Sequence, residues 1–137
     1  MPRLLDTNAL LHFFVESIDA ERFRKAGSLM QRAVAGEESL VVTPVVLFEL
    51  AFLLQRTFRL QRSAVAARLS DLLLVPAIEV VERPAVEAAL EVYRATGGLS
   101  FADAYSVAYM QGQGITEVYS WDTDFDRVPG ITRVEPA

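Results

Sequence analysis

The stretch LVVTPVVLFELAFLLQRTF, residues 40–58, contains the pattern from which the fold can be predicted. It begins with a short β-branched run, residues 40–43, which is typical of a strand. Pro44 follows, and proline suits the first position of a helix, which we expect to continue to about Phe58. A strand that leads directly into a helix is the repeating unit of an α/β protein.

The same alternation of short strands and longer helices extends along the chain. Strands joined by helical crossovers pair in parallel, with helices covering both faces of the sheet. Functional groups then collect at the carboxyl ends of the strands. The expected strands are 3–6, 40–43, 78–82, 117–120 and 131–134, and the expected helices are 8–15, 19–35, 44–58, 61–74, 84–96 and 100–111, with a helical turn at 122–127.

The composition restricts the chemistry that the protein can perform. The chain has 137 residues and one histidine, His12. It has no cysteine, which excludes disulfides, thiolate metal sites and cysteine nucleophiles. A hydrophobic share of 52% with 23% charged residues predicts one packed domain, residues 1–137. The net charge of −5 argues against binding DNA by charge alone. Catalysis would depend on carboxylates, hydroxyls, amides and arginines.

No segment has the pattern of a signal peptide or a transmembrane helix. The longest apolar run, residues 40–54, is shorter than the roughly 20 residues that a membrane-spanning helix needs. Pro44 and Glu49 interrupt it. We therefore expect a cytoplasmic protein without a membrane partner.

Several acidic residues stand at the ends of expected strands or the starts of helices. Asp6 and Asp122 follow the first and fourth strands, and Asp103 lies three residues after Ser100. Each position also suits an ordinary helix cap, and the Ser100–Asp103 spacing is that of a capping box. Taken singly, these acids predict no function.

Glu49 is the most informative acid, because its helical neighbours are apolar. Val45, Val46, Phe52 and Leu53 lie three or four residues away and share its face. Burying an unpaired carboxylate costs several kcal/mol, so we expect a partner, either a cation, a set of hydrogen bonds or a metal ion. The alternatives are a buried salt bridge to an arginine and a helix turned so that Glu49 reaches solvent.

The acids taken together predict a metal site. Four carboxylates in one place repel each other and raise each other's pKa unless a cation neutralises them. Oxygen ligands without histidine or cysteine favour Mg²⁺ or Mn²⁺ over zinc.

Four short motifs resemble those of the PIN-domain family in their order and spacing. The chain length is also similar to that of the VapC-type toxins of bacterial toxin–antitoxin pairs, and the resemblance covers the whole chain. The motifs are LDTN at 5–8, PVVLFE at 44–49, SFADA at 100–104 and SWDTDF at 120–125.

The resemblance implies a three-layer α/β/α sandwich with a five-stranded parallel sheet. It also implies a Mg²⁺- or Mn²⁺-dependent endoribonuclease that acts on structured RNA, often tRNA or rRNA. The family typically dimerises, and a small cognate antitoxin inhibits it by covering the acidic groove. The residues that match the metal-binding acids of the family are Asp6, Glu49, Asp103 and Asp122. Asn8 and Ser120 match its supporting polar residues, and Asp124 matches an acid beside the fourth ligand.

We expect metal-assisted hydrolysis of a phosphodiester that leaves a 5′-phosphate and a 3′-hydroxyl. Asp6 and Asp103 are the expected central ligands, with Glu49 and Asp122 binding ions or their waters. One carboxylate, which the sequence does not identify, accepts the proton of the attacking water.

Basic and aromatic residues predict further contacts. Two basic sets could bind RNA phosphates, although a solvated helix face is the more ordinary interpretation of each. The first set is Arg56, Arg59 and Arg62, and the second is Arg22, Lys25 and Arg32.

The apolar residues of 48–58 exceed what one helix face can bury and predict a homodimer. These residues are Phe48, Leu50, Phe52, Leu53, Leu54 and Phe58.

Three other functions compete with the nuclease. A phosphatase of the haloacid dehalogenase type needs a second aspartate at position 8, where this chain has Asn8. A receiver domain needs a lysine late in the chain, whereas the single lysine is Lys25. A catalytically silent RNA- or protein-binding module of the same fold can be separated from the enzyme only by an assay.

Overall fold

The first part of the chain forms a sheet of three parallel strands, in the order β1-β2-β3. The computed structural model describes residues 1–137 and divides them into two compact units, Met1–Arg83 and Pro84–Ala137. The strands of the first unit are β1 Arg3–Leu4, β2 Leu40–Val42 and β3 Ile78–Val80, and its helices are α1 Thr7–Phe14, α2 Ala20–Val34, α3 Pro44–Arg56 and α4 Arg62–Leu73, with a 3₁₀ helix at Glu16–Ile18.

The second unit contains two parallel strands and two helices, together with a 3₁₀ helix. The second unit begins at Pro84, but its first helix begins one residue before that, at Arg83, the last residue of the first unit. The elements are α5 Arg83–Ala95, α6 Phe101–Gln113, β4 Glu117–Tyr119, the 3₁₀ helix Thr123–Arg127 and β5 Thr132–Val134.

The predicted α/β class is confirmed, and every predicted strand and helix is present with ends within two residues of those expected. The strands form a three-stranded and a two-stranded sheet, however, instead of one five-stranded sheet. Hydrophobic periodicity identifies a strand but carries no information about its partner, because partners are distant along the chain. The three-layer arrangement stays a prediction.

The first strand is an exposed edge of its sheet, although residues 3–6 contain a short apolar run that is typical of a buried strand. It pairs with β2 alone, and Leu4 is 62% exposed. Among residues 3–6, Leu5 is the one that is buried, with 4% of its surface exposed. Its N–H donates to the carbonyl of Val41 at 2.8 Å.

The junction between β2 and α3 has the predicted form. Thr43 caps the helix, with its side-chain oxygen accepting from the N–H of Val46 at 3.5 Å, and Pro44 occupies the first turn. Leu50 and Leu54 lie on the core face of α3 and are fully buried. Burial of each such side chain contributes about 1.5–3 kcal/mol of transfer free energy.

The start of α6 is fixed by a serine cap. The side-chain oxygen of Ser100 accepts from the N–H of Asp103 at 3.0 Å. The helix ends at Gly114, whose φ of 71° is a left-handed conformation that glycine adopts without a steric penalty. Asp103 therefore lies in the first turn of a helix with well-defined ends.

None of the helices is long and apolar enough to cross a bilayer.

Candidate active site

Asp6 lies directly after β1 and occupies the N-cap position of α1, but its side chain accepts no capping hydrogen bond. It is exposed. The alternative interpretation, that Asp6 serves only to cap the helix, is therefore not supported, and its carboxylate is available for a ligand. Asn8, the second residue of α1, is also exposed.

Glu49 on α3 is exposed. The premise that its carboxylate is buried, from which we expected a partner, is therefore wrong. Val45 and Phe52, its neighbours on that face, are 62% and 58% exposed. A shallow hollow beside it is lined by Phe48, Glu49, Phe52 and Leu53. A solvated carboxylate carries no burial cost that a partner must offset. Of the apolar neighbours named from the sequence, Val46 is buried, whereas Val45 and Phe52 are exposed beside Glu49.

The surroundings of Asp103 shift the pKa of its carboxyl. Burial raises its pKa, the hydrogen bond with the Ser100 side chain lowers it, and the negative charges of Asp122 and Asp124 raise it further. The net effect is a pKa above the ordinary value for an aspartate. Within the second unit, Asp122 and Asp124 thus lie close enough to Asp103 for their charges to affect its pKa.

The turn after β4 orders two of these acids through its own backbone. The N–H of Asp122 donates to the side-chain oxygen of Ser120 at 2.9 Å. The N–H of Asp124 donates to Oδ1 of Asp122 at 2.9 Å. Ser120, predicted as a supporting residue, therefore contacts the turn that carries Asp122.

The candidate site residues fall in both units, and each unit has its own part of the set. The first unit contains Asp6, Asn8 and Glu49, and the second contains Asp103, Ser120, Asp122 and Asp124. No three acids or histidines converge into a group that could hold a metal ion. The assignment of four of these acids as metal ligands therefore stays a prediction.

The first predicted basic set does not lie on a single helix. Arg56, Arg59 and Arg62 do not form a helical stripe, because α3 ends at Arg56 and α4 begins at Arg62. Arg59 lies between the helices with a φ of 57°.

The three basic residues predicted on α2 are each paired with an acid. Arg22 contacts Asp19 at 3.7 Å, Lys25 contacts Glu21 at 3.2 Å and Arg32 contacts Glu38 at 3.6 Å. Exposed pairs of this kind stabilise a protein by about 0–1 kcal/mol and are typical of a solvated helix face.

Two features of the site region were missed by sequence reasoning. Arg127 donates from Nη1 to the carbonyl of Gly97 at 3.1 Å, and Arg133 contacts Asp126, Glu135 and the carbonyl of Ser120. Both are isolated arginines in the sequence, and no local pattern distinguishes them from surface residues.

An apolar groove in the first unit was also missed. It has a volume of about 350 Å³, with Arg68 and Asp71 among its walls. The guanidinium carbon of Arg68 lies 6.0 Å from the ring centroid of Phe14. The remaining lining residues are Phe13, Phe23, Met30, Leu72 and Val75.

The fold and these residues define a class of protein. The PIN-domain profile matches residues 3–131, and the chain therefore belongs to the PIN-domain family. This membership replaces the phosphatase and receiver-domain interpretations.

The chain is similar to two curated relatives in mycobacteria. VapC ribonuclease Mb1869c of Mycobacterium bovis and ribonuclease VapC13 of Mycobacterium tuberculosis are each 31% identical to it, covering 96% of this chain and 98% of the relative. Among solved structures, it matches the crystal structure of Mycobacterium tuberculosis VapC20, described as a sarcin–ricin loop cleaving toxin, with 30% identity, 98% and 99% coverage and a TM-score of 0.40.

Proposed function

We propose that this protein is a metal-dependent endoribonuclease of the VapC type, the toxin of a toxin–antitoxin pair. The observation that carries the proposal is the retention of every acid of the family pattern, Asp6, Glu49, Asp103 and Asp122, in a chain that matches the family along its length. Near-full-length similarity to two proteins named as VapC ribonucleases supports the same function.

The donor set fits a hard divalent cation. The acids offer carboxylate oxygens only, and the chain has no cysteine. In the second unit the charges of Asp122 and Asp124 raise the pKa of Asp103, a repulsion that a bound cation would relieve. We propose Mg²⁺ or Mn²⁺ as the ion, because oxygen-only sites favour these metals.

We propose that Asp6 and Asp103 are the central ligands and that Glu49 and Asp122 complete the set. A divalent ion would polarise the scissile phosphate and lower the pKa of water. Asn8 and Ser120 are proposed to orient the ligands, and Asp124 adds negative charge beside Asp122. The exposed carboxylates of Asp6 and Glu49 are free to bind a ligand without first breaking a buried contact.

In the proposed reaction, water attacks the phosphorus atom and the bond to the 3′ oxygen breaks. One of the site carboxylates accepts the proton of the attacking water, and the departing 3′ oxygen takes up a proton. The products are a 5′-phosphate and a 3′-hydroxyl. This outcome differs from attack by the ribose 2′-hydroxyl, which leaves a 2′,3′-cyclic phosphate.

Structured RNA, either tRNA or rRNA, is the proposed substrate, and a small antitoxin is the proposed protein partner. The antitoxin is proposed to cover the acidic groove, and the apolar groove of the first unit offers an additional surface for its apolar side chains. Co-purification with the product of a neighbouring small open reading frame would support this partner. Failure of that product to inhibit cleavage would contradict it.

A homodimer is the proposed assembly. Leu50 and Leu54 belong to the core, but Val45 and Phe52 expose apolar surface on α3, and Glu49 lies between them. Sedimentation at micromolar concentration is expected to give a dimer, and Phe52→Ser is expected to weaken it. A wild-type monomer at this concentration would contradict the proposal.

The direct test is cleavage of purified tRNA and rRNA with Mn²⁺, with Mg²⁺ and with excess EDTA. We expect cleavage with either ion, none in EDTA, and products with 5′-phosphate ends. Asp6→Asn removes one carboxylate charge at nearly constant shape and should abolish cleavage. Glu79→Gln, an exposed acid on β3 outside the predicted site, is the matched control.

Two results would contradict the nuclease. Cleavage that persists in EDTA, or that leaves a 2′,3′-cyclic phosphate, would exclude the proposed chemistry. Intact RNA in every condition, with measurable RNA binding, would favour the alternative of a catalytically silent binding module.

A further inference from the structure

Arg133 on β5 contacts two carboxylates and one backbone carbonyl of the second unit. Its Nε lies 3.0 Å from Oδ1 of Asp126 and its Nη2 lies 3.3 Å from Oδ2, so the guanidinium engages both oxygens of one carboxylate. Nη1 donates to Oε1 of Glu135 at 3.0 Å. The side chain is only 14% exposed. Such a two-point pair fixes the orientation of the guanidinium.

The same guanidinium reaches the end of β4. Nη1 of Arg133 also donates to the carbonyl of Ser120 at 3.1 Å. The side-chain oxygen of the same Ser120 accepts from the N–H of Asp122, and Oδ1 of Asp122 accepts from the N–H of Asp124, each at 2.9 Å. Arg133 therefore holds the backbone carbonyl at the start of a turn in which the side chains of Ser120 and Asp122 bond the backbone that follows them.

We propose that Arg133 is a positioning residue of the active site, which orders the 120–124 turn through the Ser120 carbonyl and so fixes the carboxylate of Asp122. The proposal rests on the proposed function, in which Asp122 is a metal ligand.

The contact geometry requires an arginine. The planar guanidinium presents several N–H groups in a fixed arrangement, and here they bond two carboxylates and a carbonyl at once. A lysine would supply the charge but only a single nitrogen, which cannot bridge the same three partners. Arg133→Lys should therefore retain only part of the effect, whereas Arg133→Met should retain none.

The chain contains its own reporter for this turn. Trp121 is the only tryptophan, lies between Ser120 and Asp122, and is 68% exposed. Mn²⁺ is paramagnetic and quenches nearby fluorophores. A Mn²⁺ titration of Trp121 fluorescence in the absence of RNA should therefore show saturable quenching, and Asp122→Asn should abolish it.

We expect Arg133→Met to raise the Mn²⁺ concentration at half-saturation by about 10-fold or more, the range found when groups that orient metal ligands are removed. Arg133→Lys should give a smaller rise. Arg94→Met is the matched control, because Arg94 is exposed on α5 of the same unit and its loss removes the same charge. This control should titrate like the wild type.

A second readout separates positioning from general stability. Amide hydrogen exchange at Asp122 and Asp124 should accelerate in Arg133→Met, while amides in α6 exchange as in the wild type. If Arg133→Met does not fold, Arg133→Lys and Asp126→Asn replace it, and both should raise the half-saturation concentration. Kinetic assays on RNA should then show a lower kcat with little change in KM.

The proposal is overturned if Arg133→Met and Arg94→Met titrate alike, or if the two amides exchange at wild-type rates. An absence of saturable quenching in the wild type would also overturn it, by removing Asp122 from the metal site. Saturable quenching in a protein that cleaves no RNA would instead count against the proposed function alone.

Discussion

At the scale of single residues, Glu49 and Asp103 show what local sequence can reveal. The apolar neighbours of Glu49 were identified correctly, but Glu49 itself is exposed, so the inference of a buried partner is wrong. Asp103 had the spacing of an ordinary capping box, yet it is half-buried and has a raised pKa. Helical spacing tells which residues share a face, and only the packing tells what covers that face.

The raised pKa of Asp103 predicts a pH-dependent stability. Because burial and the neighbouring acids favour the protonated carboxyl, the folded protein gains stability at low pH and loses it as the pH rises through the folded pKa. In EDTA at pH 7, Asp103→Asn should therefore raise Tm. The gain should disappear below pH 3.8, the ordinary pKa of an aspartate, because the wild-type carboxyl is then protonated in the folded and the unfolded chain.

Thermal unfolding of wild type and Asp103→Asn across this pH range checks the sign. Glu91→Gln, an exposed acid on α5, is the control and should show no comparable gain. A lower Tm for Asp103→Asn at pH 7 would contradict the assigned environment. The same variant should lose cleavage, so that stability and activity change in opposite directions.

Gly98 predicts a steric effect at a single position. Its φ is +86°, and an added Cβ would collide with the guanidinium of Arg127 and lie 3.3 Å from Oδ1 of Asp124. Gly98→Ala should therefore lower the free energy of unfolding by about 1–3 kcal/mol. At Gly97 a Cβ would meet nothing within 4 Å, so Gly97→Ala should be nearly neutral. Urea denaturation of the pair measures the difference, and equal stabilities would contradict this packing.

At the scale of elements, the boundaries were predictable because the chain marks them with caps. Pro44 lies in the first turn of α3 and Ser100 caps α6, as predicted, while Thr43 caps α3 and Gly114 ends α6, which were not predicted. The capping oxygen satisfies an N–H that no residue within the helix can bond. Strand pairing has no comparable local marker, which is why two sheets were found where one was expected.

The cap of α6 can be tested by removing one hydroxyl. Ser100→Ala loses the hydrogen bond to the N–H of Asp103 and should destabilise the protein by about 1 kcal/mol. Ser106→Ala, an exposed position inside the same helix, should be neutral or slightly stabilising because alanine has the higher helix propensity. Chemical denaturation of both variants gives the comparison, and a neutral Ser100→Ala would show that the cap does not stabilise α6.

At the scale of the whole molecule, the sequence predicted the class, the elements and the family, while side-chain environments needed the structure. Motif order identified the acids, but neither their exposure nor the hydrogen bond of Arg133 to the Ser120 carbonyl follows from spacing. Arg133 could not be found in the sequence because its partners are set by tertiary contacts.

The central proposal is that Asp6 and Asp103, which are distant along the chain, bind the same divalent ion. Isothermal titration with Mn²⁺ in the absence of RNA tests it most directly. We predict saturable binding to the wild type and to Glu79→Gln, and its loss in both Asp6→Asn and Asp103→Asn. Wild-type Mn²⁺ binding by either aspartate variant would contradict the claim.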